Sequence, residues 1–341
     1  MHREFHYIAE THSMTLLRPL AVIGAAVPLL LSAQTELVAD FGTPLLDPFP
    51  REFTVSGNKL FFTAFAAESG WEMWVTEGAL ATTHLVKDIN PGAAHGTASS
   101  PAPIAFNGGI IFMADDGEHG RELWKSDGTE AGTMMLSDIQ PGSNEGLPKP
   151  LCAVGGHVLF TADDGSGRRL YSTDGLVTGS ITDHVLDAFT QPPLVLDGVA
   201  YFFAWTPITN NYALWSSGGS SAALVKNLGG GGVGSELTAL GNGFFFRGFN
   251  NATGAEVWYS NGSTNGTSMV VDMMPGPDGA NPRNLMTMGG QLYFLGQDDN
   301  GRGLFRIQGG TPVAVTGLSI YENFNSSYPT MAVLGDRHFR Y

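Results

Sequence analysis

The sequence predicts an all-β protein, a β-propeller of four-stranded repeats. Three observations predict it. Gly is 46 of 341 residues, about 13%, and Pro adds 19, so turns are frequent. Charged residues are only 14% while 43% of the chain is hydrophobic, which is poor in the Lys, Glu and Arg of surface helices yet rich enough in apolar groups to build a core. Most telling, two kinds of aromatic anchor recur along the chain at a fixed offset.

The first anchor is an aromatic or apolar pair: Phe61-Phe62, Ile111-Phe112, Leu159-Phe160, Phe202-Phe203, Phe245-Phe246 and Tyr293-Phe294. The second follows 11 or 12 residues after the pair's second member: Trp74, Trp124, Tyr171, Trp215, Trp258 and Phe305. Successive members of the second set lie 50, 47, 44, 43 and 47 residues apart, a mean of about 46. That period suits one propeller blade. No amphipathic run at 3.6-residue spacing supports a helical solenoid.

The second unit parses most clearly. Ile110 to Ala114 reads as a strand, followed by the turn residues Asp115-Asp116-Gly117. Arg121 to Lys125 reads as a second strand, closed by Asp127-Gly128-Thr129, in which Gly128 is expected at positive φ. Thr133 to Asp138 is a third strand, ended by Pro141-Gly142. Leu151 to Val154 is assigned as the fourth. Glu36–Phe41 and Pro50–Val55 read as the last two strands of a unit whose start is absent, and 333–341 as the first strand of another. Six full units and these ends predict a composite seventh blade, which would pair free edges. The alternative is a chain truncated from a longer array. Either way, residues 34–341 form a single repeat domain.

Upstream, residues 20–31 read LAVIGAAVPLLL behind Arg18, and Leu31-Ser32-Ala33 supplies small residues before Gln34. This layout predicts a secretory signal peptide over residues 1–33, with Met14 an alternative start. The run is too short to span a bilayer, and no later stretch predicts a transmembrane helix. A secreted or cell-surface location follows. Removing residues 1–33 takes two Arg and two Glu and leaves the net charge at −15, which disfavours a nucleic-acid partner. Cys152 is the single cysteine, so no internal disulfide forms.

The segment GRELWKSDGTEAGT at 120–133, with SDIQPG at 137–142, closely resembles the signature of the ELWxxDGT repeat family of bacterial exported proteins. GWEMWVTEG and LVKDINPG in the first unit, LYSTDG in the third, and AEVWYSNGSTNGT with VVDMMPG in the fifth carry the same pattern. YALWSSGG and GLFRIQGG depart from it by lacking the Asp-Gly-Thr turn. The resemblance implies a β-propeller-like array outside the cytoplasm and no particular reaction.

Candidate chemistry is sparse. Asp115 and Asp116, Asp163 and Asp164, and Asp298 and Asp299 recur after the first strand of their units. They are either calcium ligands or hairpin-turn residues, and no loop matches the spaced D-x-D-x-D-G pattern. No cofactor is predicted, calcium at these turns being the one alternative. Glu72, Glu122 and Glu256 stand two residues before a Trp, on its face of the strand. Their repetition favours a structural hydrogen bond over a catalytic role. The periodic Trp and Phe residues read as packing between blades rather than a sugar-stacking platform. The histidines lack metal-ligand spacing, and Cys152 between Leu151 and Ala153 reads as a small apolar residue. The expected function is a binding or structural module with a protein or polysaccharide ligand. The alternative is a carbohydrate-active hydrolase or lyase using carboxylates at the channel.

Overall fold

The computed structural model describes residues 49–97, 101–182, 191–206, 210–230, 234–315, 331–334 and 337–340. The signal-peptide segment, Met14 and Glu36–Phe41 lie outside the described residues.

Six four-stranded antiparallel sheets follow one another, each a simple meander in chain order. Blade 1 is β1 (Arg51–Ser56), β2 (Lys59–Ala66), β3 (Gly70–Thr76) and β4 (His84–Leu85). Blade 2 is β5 (Ile104–Phe106), β6 (Gly109–Asp115), β7 (Arg121–Ser126) and β8 (Met134–Ser137). Blade 3 is β9 (Lys149–Val154), β10 (His157–Asp163), β11 (Arg168–Thr173) and β12 (Thr178–Ser180). Blade 4 is β13 (Leu194–Leu196), β14 (Val199–Thr206), β15 (Asn211–Ser217) and β16 (Ala222–Asn227). Blade 5 is β17 (Ser235–Leu240), β18 (Gly243–Asn250), β19 (Gly254–Ser260) and β20 (Thr267–Met269). Blade 6 is β21 (Arg283–Met288), β22 (Gln291–Asp298), β23 (Gly301–Gln308) and β24 (Thr311–Ala314). A separate hairpin, β25 (Met331–Leu334) with β26 (Arg337–Arg340), forms a two-stranded sheet. First strands of neighbouring blades lie side by side, β1 by β5, β5 by β9, β13 by β17 and β17 by β21, so they are the inner strands of a β-propeller.

The repeat sets the register. Phe62 pairs with Trp74, Phe112 with Trp124, Phe160 with Tyr171, Phe202 with Trp215, Phe246 with Trp258 and Phe294 with Phe305. Facing aromatic pairs of this kind are the unit of sheet stabilisation. Alternation sends the pair to one face of its blade, and in blades 2 to 6 that face meets the preceding blade. Phe112 and Trp124 thus share a core with Phe61, Met73 and Val75 of blade 1, and Phe246 and Trp258 one with Phe203 and Leu214 of blade 4. Five clusters of buried side chains fill the five interfaces between the six blades.

Three boundaries differ from the sequence reading. Leu151 to Val154 opens blade 3 rather than closing the second unit, because β9 hydrogen-bonds to β10. Arg51–Ser56 likewise opens blade 1 through β2 and is not left over for a composite blade. The C-terminal segment expected to give one strand gives the β25–β26 hairpin. In the fourth unit the pair is Tyr201-Phe202, one residue earlier than expected, since it is Phe202 that faces Trp215.

A meander puts the first-to-second and third-to-fourth turns at one edge of the blade. The second-to-third turns and the blade-to-blade connections lie at the other. The acidic turns therefore sit opposite the Asp-Gly turns.

Candidate ligand-binding pocket

At the acidic edge the carboxylates are engaged by their own turns. Asp115 Oδ1 accepts from Gly117 N at 2.8 Å, and Asp116 Oδ1 from Glu118 N at 3.0 Å and His119 N at 2.9 Å. Asp163 Oδ1 accepts from Gly165 N and Gly167 N, and Asp164 bonds Ser166 and Arg169. Asp298 Oδ1 accepts from Asn300 N at 2.8 Å, while Asp299 is exposed. These are Asx-type turns, which fix the backbone with a side-chain oxygen. The Asp116 and Asp164 carboxyls are held below their ordinary value, in Asp116 by the His119 and Glu118 N–H groups against burial, in Asp164 first by Ser166. Among the described residues, no three His, Cys, Asp or Glu side chains group as a metal centre requires.

Glu72, Glu122 and Glu256 are fully buried and tie down the connection to the next blade. Glu122 Oε2 accepts from Ile139 N at 2.9 Å, and its Oε1 from Gln140 N at 3.1 Å and Gly146 N at 2.9 Å. Glu72 Oε1 accepts from Asn90 N and Gly96 N, and Glu256 Oε1 from Met274 N and Ala280 N, at the same offsets of 18 and 24 residues. Burial pushes the Glu72 carboxyl up to about 8 and Glu256 up to about 7, against the pull of these N–H groups. Glu122 is also raised by burial. These carboxylates hold the fold and are unavailable for chemistry.

The remaining sequence candidates are likewise absorbed. Trp124, Trp215 and Trp258 are 5–7% exposed and lie in the interface cores. Cys152 packs against the blade 3–blade 4 core, and burial pushes its thiol up to about 12, far from a nucleophile's range. His119 pairs with Asp116 at 2.8 Å, and His84, His95 and His157 each contact backbone. His184 and the His338 side chain lie outside the described residues.

What is left is at the opposite edge, where the Asp-Gly turns sit. Gly128 has φ +92°, and Gly262, in the same position of blade 5, φ +88°. Asp127 Oδ1 accepts from Thr129 N and Oγ1, while Ser126 Oγ lies 2.8 Å from Thr133 Oγ1. Asn261, Ser263, Ser260 and Thr267 repeat this network in blade 5. The loop spans seven residues between β7 and β8, and this hydroxyl scaffold replaces ladder bonds.

Between the turns of blades 2 and 3 lies a pocket of about 440 Å3. Ile110 and Ile111 form a buried floor, with Phe106 beside them. Met134 and Leu176, 44% and 80% exposed, form the lips. Lys125, Asp127 and Asp174 supply charge. Lys125 Nζ donates to Gly175 O at 3.0 Å, and Asp174 Oδ1 accepts from Leu176 N and Val177 N. An apolar bed with a few fixed polar groups is the usual make-up of a small-ligand site. Sequence reasoning missed it: Asp127-Gly128 and Asp174-Gly175 read as turns in the chain, and nothing there says that they line one pocket. The available signal is the recurrence of the Asp-Gly step at 127–128 and 174–175, which puts two like turns at one edge of neighbouring blades.

No family model matches the chain, and no curated protein does. Solved structures show similarity at low identity. One is a prolyl endopeptidase, with 11% identity and a TM-score of 0.45, over 80% of this chain and 44% of that one. The β-propeller domain of the Trilobed protease from Pyrococcus furiosus shows 8% identity and a TM-score of 0.40, over 78% and 83%. TolB from Acinetobacter baumannii shows 14% and 0.34, over 64% and 52%. The chain spans less than half the length of that prolyl endopeptidase.

Proposed function

We propose that this chain is an exported β-propeller that acts as a binding module, with its ligand seated between blades 2 and 3. The observation that carries the reading is the 440 Å3 pocket with its buried apolar floor and its few fixed polar groups. Buried loop-holding roles for Glu72, Glu122 and Glu256 favour binding over carbohydrate hydrolysis. The ELWxxDGT resemblance of residues 120–142 supports placement in that family and outside the cytoplasm. No helix among the described residues is long and apolar enough to cross a membrane.

Two experiments test this. A panel of oligosaccharides and peptides is screened against the wild type and Met134→Trp, which fills the pocket mouth from an exposed position. A ligand that binds the wild type and is lost in the variant is expected. A panel with no hits, or hits indifferent to the plug, rejects the assignment. For export, the chain is expressed with residues 1–33 in a bacterial host, and the product outside the cytoplasm is expected to begin at Gln34. Uncleaved protein confined to the cytoplasm rejects that part.

A further inference from the structure

We infer that Asn107, at the tip of the β5–β6 hairpin, is the site at which this chain deamidates spontaneously, and that the aspartate product leaves the hairpin intact.

Five asparagines are followed by glycine: Asn107, Asn242, Asn261, Asn265 and Asn300. In such a step the glycine nitrogen is the nucleophile, and no Cβ on the glycine hinders its approach to the asparagine side chain. The nitrogen gives its proton to water and forms a bond to the asparagine Cγ. The Cγ–Nδ2 bond breaks and ammonia leaves, which closes a cyclic imide. Water then opens the imide. Cleavage between nitrogen and Cγ yields aspartate, and cleavage between nitrogen and the main-chain carbonyl carbon yields isoaspartate. One water is taken up and one ammonia released, and nothing is oxidised or reduced.

An N–H held by an acceptor gives up its proton less readily, and the ring closes only where the backbone opens locally, so the fold ranks the five. Gly262 N donates to Ser260 Oγ and Gly266 N to Ser263 Oγ, each at 3.0 Å. The Asn261 side chain is held as well, its Oδ1 accepting from Ser263 N and Oγ. Gly243 and Gly301 close two-residue turns opposite Leu240 and Asp298, where the turn's own hydrogen bond takes the N–H. Gly108 differs. It lies inside the turn between Phe106 and Gly109, it is exposed, and its N–H meets no acceptor among the described residues. A Cβ on Gly108 would meet nothing within 4 Å, so the tip is open on that side. Asn107 is exposed too. The inner strand β5 has only three residues, so opening this tip breaks a short ladder.

The fold also carries a template for the product. In blade 4 the same turn is Asp197-Gly198, between Leu196 and Val199. Asn107 and Asp197 both have φ +49°, and Gly108 and Gly198 have φ +78° and +76°. An aspartate at 107 thus repeats a turn that the chain already makes. It also adds a third carboxylate to the pocket lining, with Asp127 and Asp174. Isoaspartate lengthens the main chain by a methylene and has no such counterpart.

The test incubates the full chain at mildly alkaline pH, native or in urea, then digests it with trypsin and weighs the peptides. Cleavage after Lys87, Arg121, Lys226, Arg247, Arg283 and Arg302 puts Asn107, Asn242 and Asn300 on separate peptides, and fragmentation separates Asn261 from Asn265. Asn90 shares the peptide of Asn107 but precedes Pro91, which has no N–H to give up. In the native chain Asn107 is expected to convert several-fold faster than each of the other four. In urea the five rates are expected to converge, since glycine follows each. Asn107→Asp is expected to melt with the wild type. A native rate at Asn107 no greater than at the other four overturns the inference. So does a lead that survives in urea, because it then comes from the local sequence and not from the fold. A lowered melting point for Asn107→Asp overturns the claim that the hairpin accepts the product.

Discussion

Replacing Glu122 by Ala removes the acceptor of three backbone N–H groups at once, those of Ile139, Gln140 and Gly146, at 2.9–3.1 Å. Hydrogen bonds to a charged group contribute about 1.5–3 kcal/mol each. Burial works against the charge, as the raised carboxyl shows, so the sum is reduced. Gly146 N is buried and would be left without a partner, which adds back a desolvation cost. The balance is a loss of about 3–5 kcal/mol. Urea denaturation followed by far-ultraviolet circular dichroism measures it. Glu145→Gln is the control, since Glu145 forms a half-exposed pair with Arg121 at 2.6 Å, worth about 1 kcal/mol or less. Hydrogen exchange adds a local readout, with residues 139–146 expected to lose protection first. If Glu122→Ala costs no more than Glu145→Gln, the carboxylate does not hold the connection and its burial needs another explanation.

Three further outcomes are expected. Glu72 has its carboxyl raised from 4.5 to about 8, so the native chain holds a proton that the unfolded chain has lost between these values. That contribution is complete below about 4.5 and disappears as pH rises through 8; the melting point should fall from pH 5 to 8, and Glu72→Gln should flatten the fall. Gly128→Val combines a φ of +92° with Lys59 and Phe61 at 3.3 and 3.5 Å, so it should cost well over 1 kcal/mol, whereas Gly179→Val, in open space, should be close to neutral; equal urea midpoints would reject the argument. The Cys152 thiol, pushed up to about 12, should react with a disulfide reagent at pH 8 at least tenfold more slowly in the native chain than in urea, and equal rates would show it to be accessible.

The architecture was legible because packing between blades demands one large aromatic at one register, and that demand is written as a period. Trp124 and Phe112 stand apart by the distance that a short hairpin imposes, so their pairing could be read directly. The phase was not legible. A repeat cut before β5 or before β6 has the same period, and only the hydrogen bonds of Lys149–Val154 to β10 say where a blade starts. The loop-holding part of Glu122 followed from its repetition, although its donors, 17 to 24 residues downstream, could not be named from the chain. The pocket was invisible for the opposite reason. It is lined by the Asp-Gly turns of two neighbouring blades, and that these face one another shows only after the blades are placed side by side.

From blade 2 to blade 6 the aromatic pair is covered by the blade before it, so a front face meets the same kind of back face each time. An array of this construction can gain or lose a whole repeat by gene duplication or deletion without creating a new sort of junction. The pocket behaves otherwise. Gly109 and Phe106 come from one repeat and Asp174, Gly175 and Leu176 from the next. A copy of either repeat alone would place half of the pocket beside a stranger, while a copy of the two in tandem would carry it intact. The scaffold is thus inherited one repeat at a time, and the binding site two at a time.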